Sequence, residues 1–186
     1  MGEGPYKAKV NGEHTKEYIA WRDMLKRCCS DNYHKKYPTY IGCEVCDEWL
    51  NFQNFAEWYD ENHYEVSGER MALDKDILIK GNKIYSPDTC VFVPQSINLL
   101  FIKSNSKRGD LPIGVTYNKQ YKKYQSQCSV NKKQKHLGYY DTPEEAFQIY
   151  KQSKEACIKK AANDYAELIP FNLYQAMIDY EVEYDD

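Results

Sequence analysis

The stretch HLGYYDTPEEAFQIY, His136 to Tyr150, constrains the fold more firmly than any other segment of the chain. Thr142 suits a helix N-cap, Pro143 the first helical position, and Glu145 completes a capping box. Beyond it Ala146, Ile149, Tyr150, Ser153 and Ala156 keep one helical face, which predicts a helix from Pro143 to about Tyr165. Upstream, IGVTY (113–117) and KYQSQCSVN (123–131) read as strands joined by the basic turn NKQYKK (118–123). A second basic turn, NKKQK (131–135), leads into a third strand, HLGYY (136–140). Three antiparallel strands with a helix over one side leave the other side free. Gly138 in the last strand lets the backbone lie close to a neighbour.

The first half has a different rhythm. Tyr18 to Cys28 reads as a helix with Tyr18, Trp21, Met24 and Leu25 on its apolar face, followed by a polar, aromatic loop over 30–44. Cys46 to Tyr59 resumes helical spacing through Trp49, Phe52, Phe55, Ala56 and Tyr59. MALDKDIL (71–78) and TCVFVP (89–94) read as strands around a turn at GNK (81–83), and a short helix runs on through Asn98 and Leu99. Glycine, proline, serines and charges cluster in KSNSKRGDLP (103–112), which predicts a boundary there. The expected fold is α+β: a helical unit with a strand–loop–strand–helix segment over 1–104, a three-stranded sheet on one helix over 105–165, and an acidic tail over 166–186.

Charge is segregated along this layout. Residues 105–164 hold 12 Lys or Arg against 6 Asp or Glu, a net +6, whereas 165–186 hold six acidic residues and no basic one. A basic module beside an acidic segment fits a nucleic-acid-binding unit with a self-shielding tail. Apolar content of 42% with 15% aromatic residues supports a packed core and argues against disorder. The start lacks an apolar run and no stretch reaches membrane-spanning length, so a cytoplasmic chain without a membrane partner is expected. In that compartment the seven cysteines are thiols or metal ligands. Cys43-x-x-Cys46 has the spacing of a structural zinc site, which Cys28 and Cys90 would complete; Cys128 and Cys157 read as core thiols.

A small sheet can enter the major groove of double-stranded DNA. The candidates to contact it are Lys119, Lys122, Lys123, Lys132, Lys133 and Lys135 for phosphates, with Tyr124, Gln125 and Gln127 on the sheet between them. Gln125 and Gln127 alternate in one strand and can read base edges.

The segment GVTYNKQYKKYQSQCSVNKKQKHLGYYDTPEEAFQIYKQSKEA resembles an AP2-type DNA-binding domain of the phage and mobile-element kind. Its pattern is a G-V strand, a K-x-x-A/S strand and HLG-aromatic-x-T-x-E-E-A-A ahead of a helix; Phe147 stands where a second alanine is frequent. The earlier motif WRDMLKRC…CEVCDEW, then LDKD…GN…YSPDTC, resembles the first domain of phage HNH-like endonucleases, with YIGCEV in place of a longer glycine-rich loop. These resemblances imply duplex-DNA recognition by the sheet. They also imply phosphodiester hydrolysis at a Mg2+ or Mn2+ ion in a ββα-type site. Asp74 then falls at a metal ligand, Asn98 at the helix position completing the metal site, and Asn82 near the central asparagine. The usual base histidine falls at Lys75, with Asp76 as the neighbouring carboxylate. A lysine is protonated near neutrality and is a poor general base, though it can clamp a phosphate.

Three functions remain in play at this level: a homing-type endonuclease, a non-catalytic DNA-binding regulator with a degenerate nuclease site, and a phage protein-interaction module that inhibits a host enzyme. Lys75 separates the first two. The lysines on both hairpin turns separate these from the third, which has no need of them.

Overall fold

The computed structural model describes residues 3–103, 110–130 and 133–186. It is a mixed α+β fold in two compact units, Met1–Asn98 and Leu99–Asp186.

The first unit opens with a short hairpin, β1 (Lys9–Val10) and β2 (Glu13–His14). Asn11 and Gly12 both take positive φ, 51° and 85°, as a two-residue turn of right-handed twist demands. Helix α1 (Lys16–Cys29) buries Trp21 and Met24. The expected loop after it is largely helical: Ser30 Oγ accepts from Tyr33 N and starts α2 (Asp31–Lys36), which a 3-10 turn at Pro38–Tyr40 follows. Cys46 to Tyr59 is likewise not one helix. A 3-10 turn spans Asp47–Leu50, and Asn51 then caps α3 (Phe52–Asn62) by accepting from Gln53 N at 3.1 Å.

The two longer helices meet over an aromatic core of Trp21, Trp49, Phe52, Phe55, Tyr59 and Phe92. Trp21 Nε1 donates to Trp49 O at 2.7 Å and locks α1 onto the 3-10 turn. Two small sheets complete the unit. β3 (Glu44–Val45) pairs in parallel with β5 (Ile84–Tyr85), and β4 (Met71–Asp74) pairs antiparallel with β6 (Val91–Pro94). Helix α4 (Gln95–Asn98) follows β6 directly. The strand expected over 71–78 stops at Asp74 because its carboxylate caps the turn beyond it.

In the second unit β7 (Val115–Asn118), β8 (Lys123–Val130) and β9 (Lys133–Tyr140) form one antiparallel sheet in that order. Helix α5 (Pro143–Asp164) packs on it through Ala146, Phe147 and Tyr150 against Val115 and Cys128. Its capping box is present as read: Thr142 Oγ1 accepts from Glu145 N at 3.2 Å, and Glu145 Oε2 accepts from Thr142 N at 3.4 Å. Such a cap stabilises a helix start by about 1 kcal/mol. A β-bulge interrupts the β8–β9 ladder: Ser126 faces Gly138 but Gln127 faces His136, so Leu137 is the extra residue. Gly138 has φ 138°, and a side chain there would meet the hydroxyl of Tyr140 at 2.7 Å. The close neighbour expected at this glycine is therefore its own strand.

Residues 166–186 belong to the same unit. Helix α6 (Phe171–Ile178) buries Leu173 and Met177, and Val182 joins the core beneath α5. Lys151 Nζ donates to Val182 O at 2.8 Å, Val182 N to Glu155 Oε1 at 2.9 Å, and Asp186 pairs with Lys103 at 2.6 Å. Asp186 lies in a small cleft beside Tyr150 and Lys154 of α5.

Candidate nucleic-acid interface

The face of the sheet turned away from α5 carries polar and aromatic side chains. Cross-strand pairing sets its membership: Thr116 faces Gln125, Gln125 faces Tyr139, and Gln127 faces His136. Gln125 Nε2 lies 3.1 Å from His136 Nδ1 and 3.5 Å from Gln127 Oε1. The His136 ring lies tilted against Tyr139 at 4.6 Å between ring centres, and Tyr139 lies 4.8 Å from Tyr121, which reaches over from the β7–β8 turn. The result is a continuous patch of two amides, an imidazole and two phenols, broad enough to lie against base edges.

The lysines distribute around it unevenly. Lys119 and Lys122 are exposed on the β7–β8 turn, Lys122 in a left-handed conformation at φ 54°. Asn118 Oδ1 shapes that turn by accepting from Gln120 N and Tyr121 N at 3.0 and 3.1 Å. Lys123 pairs with Asp141 at 3.0 Å. Lys135 is exposed but in register with the buried Cys128, so it leaves the sheet on the α5 side. Tyr124 also turns away from the open face, into the core, where it meets Tyr117 edge to face at 5.2 Å. Lys132 lies outside the described residues, and Lys133 is described only by its place at the start of β9.

His136, Tyr139 and Tyr121 were not among the residues read from sequence. His136 and Tyr139 stand three apart, a spacing that ordinarily puts strand residues on opposite faces. The bulge at Leu137 brings them together.

Comparison with protein-family models, with curated proteins and with solved structures gives no match in any of the three.

The residues read as a nuclease site are gathered in one loop, apart from Asn98. Asp74 Oδ1 accepts from Asp76 N at 2.9 Å and Ile77 N at 2.8 Å. Burial, with Asp76 beside it, pushes the Asp74 carboxyl up to about 6. Lys75 is 6% exposed; its ammonium donates to Asn82 O at 3.0 Å, pairs with Asp76 at 3.4 Å and sits over the Tyr85 ring. Asn82 answers by donating Nδ2 to Lys75 O at 2.6 Å and Ile84 O at 2.7 Å, and accepts from Ile84 N at 3.2 Å. Lys75 and Asn82 thus hold the two ends of the 75–84 loop to each other. Asn98 lines a separate cleft of about 690 Å³ with Arg27, Tyr40, His63, Arg70 and Leu73.

The histidines of this unit are engaged elsewhere. His34 Nε2 bonds Arg27 O at 2.7 Å, His63 stacks on Tyr59 at 4.6 Å, and His14 stacks on Tyr18 at 4.8 Å. Among the described residues no three His, Cys, Asp or Glu side chains converge as a metal would require. Cys43 and Cys90 are buried in the aromatic core and Cys28 and Cys46 pack against it. Burial pushes the thiols of Cys28 and Cys90 up to about 12, and Cys43 adds to the rise at Cys28. These four cysteines do not fit a zinc site as they stand.

The mutual bonding of Lys75 and Asn82 has a measurable consequence. Asn82→Ala removes three hydrogen bonds of the loop and should cost the first unit about 2 kcal/mol in urea unfolding. The loss should be the same with chelator or with added Mg2+.

Proposed function

We propose that this protein binds double-stranded DNA through the open face of its three-stranded sheet. One observation carries the reading: a sheet covered by a helix on one side only, whose other side presents Gln125, Gln127, His136 and Tyr139 beside the exposed Lys119 and Lys122. Glutamine amides match the hydrogen-bonding edges of bases in the major groove, and lysines at a turn match phosphates. The first unit accompanies this as a scaffold. Its loop spends Lys75 and Asn82 on internal bonds, which supports a DNA-binding protein over a phosphodiester-cleaving one. Among the described residues no helix is long and apolar enough to cross a membrane, which fits a partner met away from a bilayer.

The test is a gel-shift on duplex DNA run beside a cleavage assay with Mg2+ and with Mn2+, on the wild type, Asp74→Ala and Gln125→Ala/Gln127→Ala. Retention of duplex by the wild type and Asp74→Ala, lost in the double glutamine variant, without cutting, is the expected result. Cutting abolished by Asp74→Ala would restore the nuclease reading. No retention at low salt would sink DNA binding and turn attention to a protein partner.

Lys119→Ala should weaken binding evenly across sequences. It should also lower the slope of log affinity against log salt by about 1, the signature of one lost phosphate contact.

A further inference from the structure

The open face holds a polar relay whose outer surface depends on one proton. With Nδ1 of His136 unprotonated, the ring accepts from Gln125 Nε2 at 3.1 Å, while the same nitrogen faces Gln127 Oε1 at 3.5 Å. Both hydrogens of the Gln125 amide then point along the sheet, and its oxygen is the atom left for a ligand. Protonation of the ring places a donor on Nδ1 as well as Nε2. The Gln125 amide must then turn to offer its oxygen to the ring, the Gln127 amide turns with it, and the Gln125 nitrogen becomes the outward atom.

Resting on the DNA-binding reading, we infer that His136 sets which base Gln125 recognises. With the neutral ring, the outward oxygen accepts from a base bearing an amino group, adenine N6 or cytosine N4. With the charged ring, the outward nitrogen donates to a carbonyl-bearing base, guanine O6 or thymine O4. The surroundings allow the exchange. Tyr139 on the same strand lies tilted against the ring at 4.6 Å, and Tyr121 from the β7–β8 turn lies one ring further at 4.8 Å from Tyr139. Strand β8 presents the uncharged Gln125, Gln127 and Ser129 on this face; its one charged residue there, Lys123, is paired with Asp141 at 3.0 Å, and Lys135, adjacent to His136 in sequence, leaves on the other face. The groups nearest His136 are thus amides and phenols.

The experiment selects a randomised duplex pool with the full chain at about pH 7.5 and about pH 5.5, near the two ends of the histidine range. It uses the wild type and His136→Phe, which keeps an aromatic ring beside Tyr139 without nitrogens. In parallel, the Gln125 side-chain amide and the His136 ring are followed by NMR through the same titration without DNA. The wild type should exchange amino for carbonyl bases at one position by about tenfold on acidification. His136→Phe should show one preference at both values, and the Gln125 amide resonances should move with the ring. A retained pool whose preference is unmoved in the wild type, or moves equally in His136→Phe, overturns the inference alone. A pool not retained at either pH overturns the DNA-binding reading and, with it, this role for His136.

Discussion

Gly114→Ala is expected to unfold the second unit at far lower denaturant than the wild type. Gly114 has φ 79°, a conformation that costs an L-residue about 1–2 kcal/mol. A Cβ there would also run into the ring of Tyr150. That ring is 6% exposed and wedged between α5 and the sheet, with no flexible end to yield. Overpacking of this kind adds about 1–3 kcal/mol, so the total is about 2–5 kcal/mol. Gly12→Ala is the control: φ is 85°, but nothing lies within 4 Å of its Cβ, leaving the conformational cost of about 1 kcal/mol. The assay separates the units by itself. All three tryptophans, Trp21, Trp49 and Trp58, are in the first unit, so their fluorescence should hold its midpoint in Gly114→Ala while far-UV circular dichroism shows an earlier transition.

The second large effect belongs to Trp49. Its side chain is fully buried, 5.0 Å from Phe55 and 4.7 Å from Trp58 between ring centres. Trp49→Ala should cost about 3–5 kcal/mol, the range for an aromatic truncated in a core. Trp49→Phe should cost only about 1 kcal/mol, because the indole has a defect to remove. Among the described residues Trp49 Nε1 is buried with no hydrogen-bond partner, and a buried unsatisfied donor costs about 1–3 kcal/mol. Phenylalanine loses part of the ring but also that penalty. A Phe variant as damaged as the Ala variant in urea unfolding would mean that shape alone fixes the residue.

These two positions show how unevenly the fold can be read from sequence. The strand–helix junction at Thr142 was legible because its signals are local: cap, proline and carboxylate sit within four residues. The Asn11–Gly12 hairpin was equally local and went unread, since its strands are two residues long and carry no alternation. Helix α2 has no buried residue, so apolar periodicity had nothing to report. The parallel pairing of Glu44–Val45 with Ile84–Tyr85 joins residues forty apart, and no short window contains it.

The site divides the same way. Gln125 and Gln127 were visible as alternating strand residues, whereas His136 and Tyr139 were hidden by an extra residue that only the paired strand reveals. Lys75, Asp76 and Asn82 have residue types suited to chemistry, but sequence does not show that Lys75 and Asn82 spend their polar atoms on each other. Cysteine spacing suggested a metal, and nothing in it shows that Cys43 and Cys90 pack within an aromatic core.

The bulge also marks where this ribbon can change length. Leu137 is the residue of β9 left over between Gly138, opposite Ser126, and His136, opposite Gln127. Loss of Leu137 alone would leave a regular ladder, with His136 still opposite Gln127 and Lys135 still opposite Cys128. A single insertion or deletion elsewhere within the paired strands would turn the residues beyond it over. A variant library sorted for folded protein should therefore keep the Leu137 deletion and be depleted of other single insertions and deletions in β8 and β9.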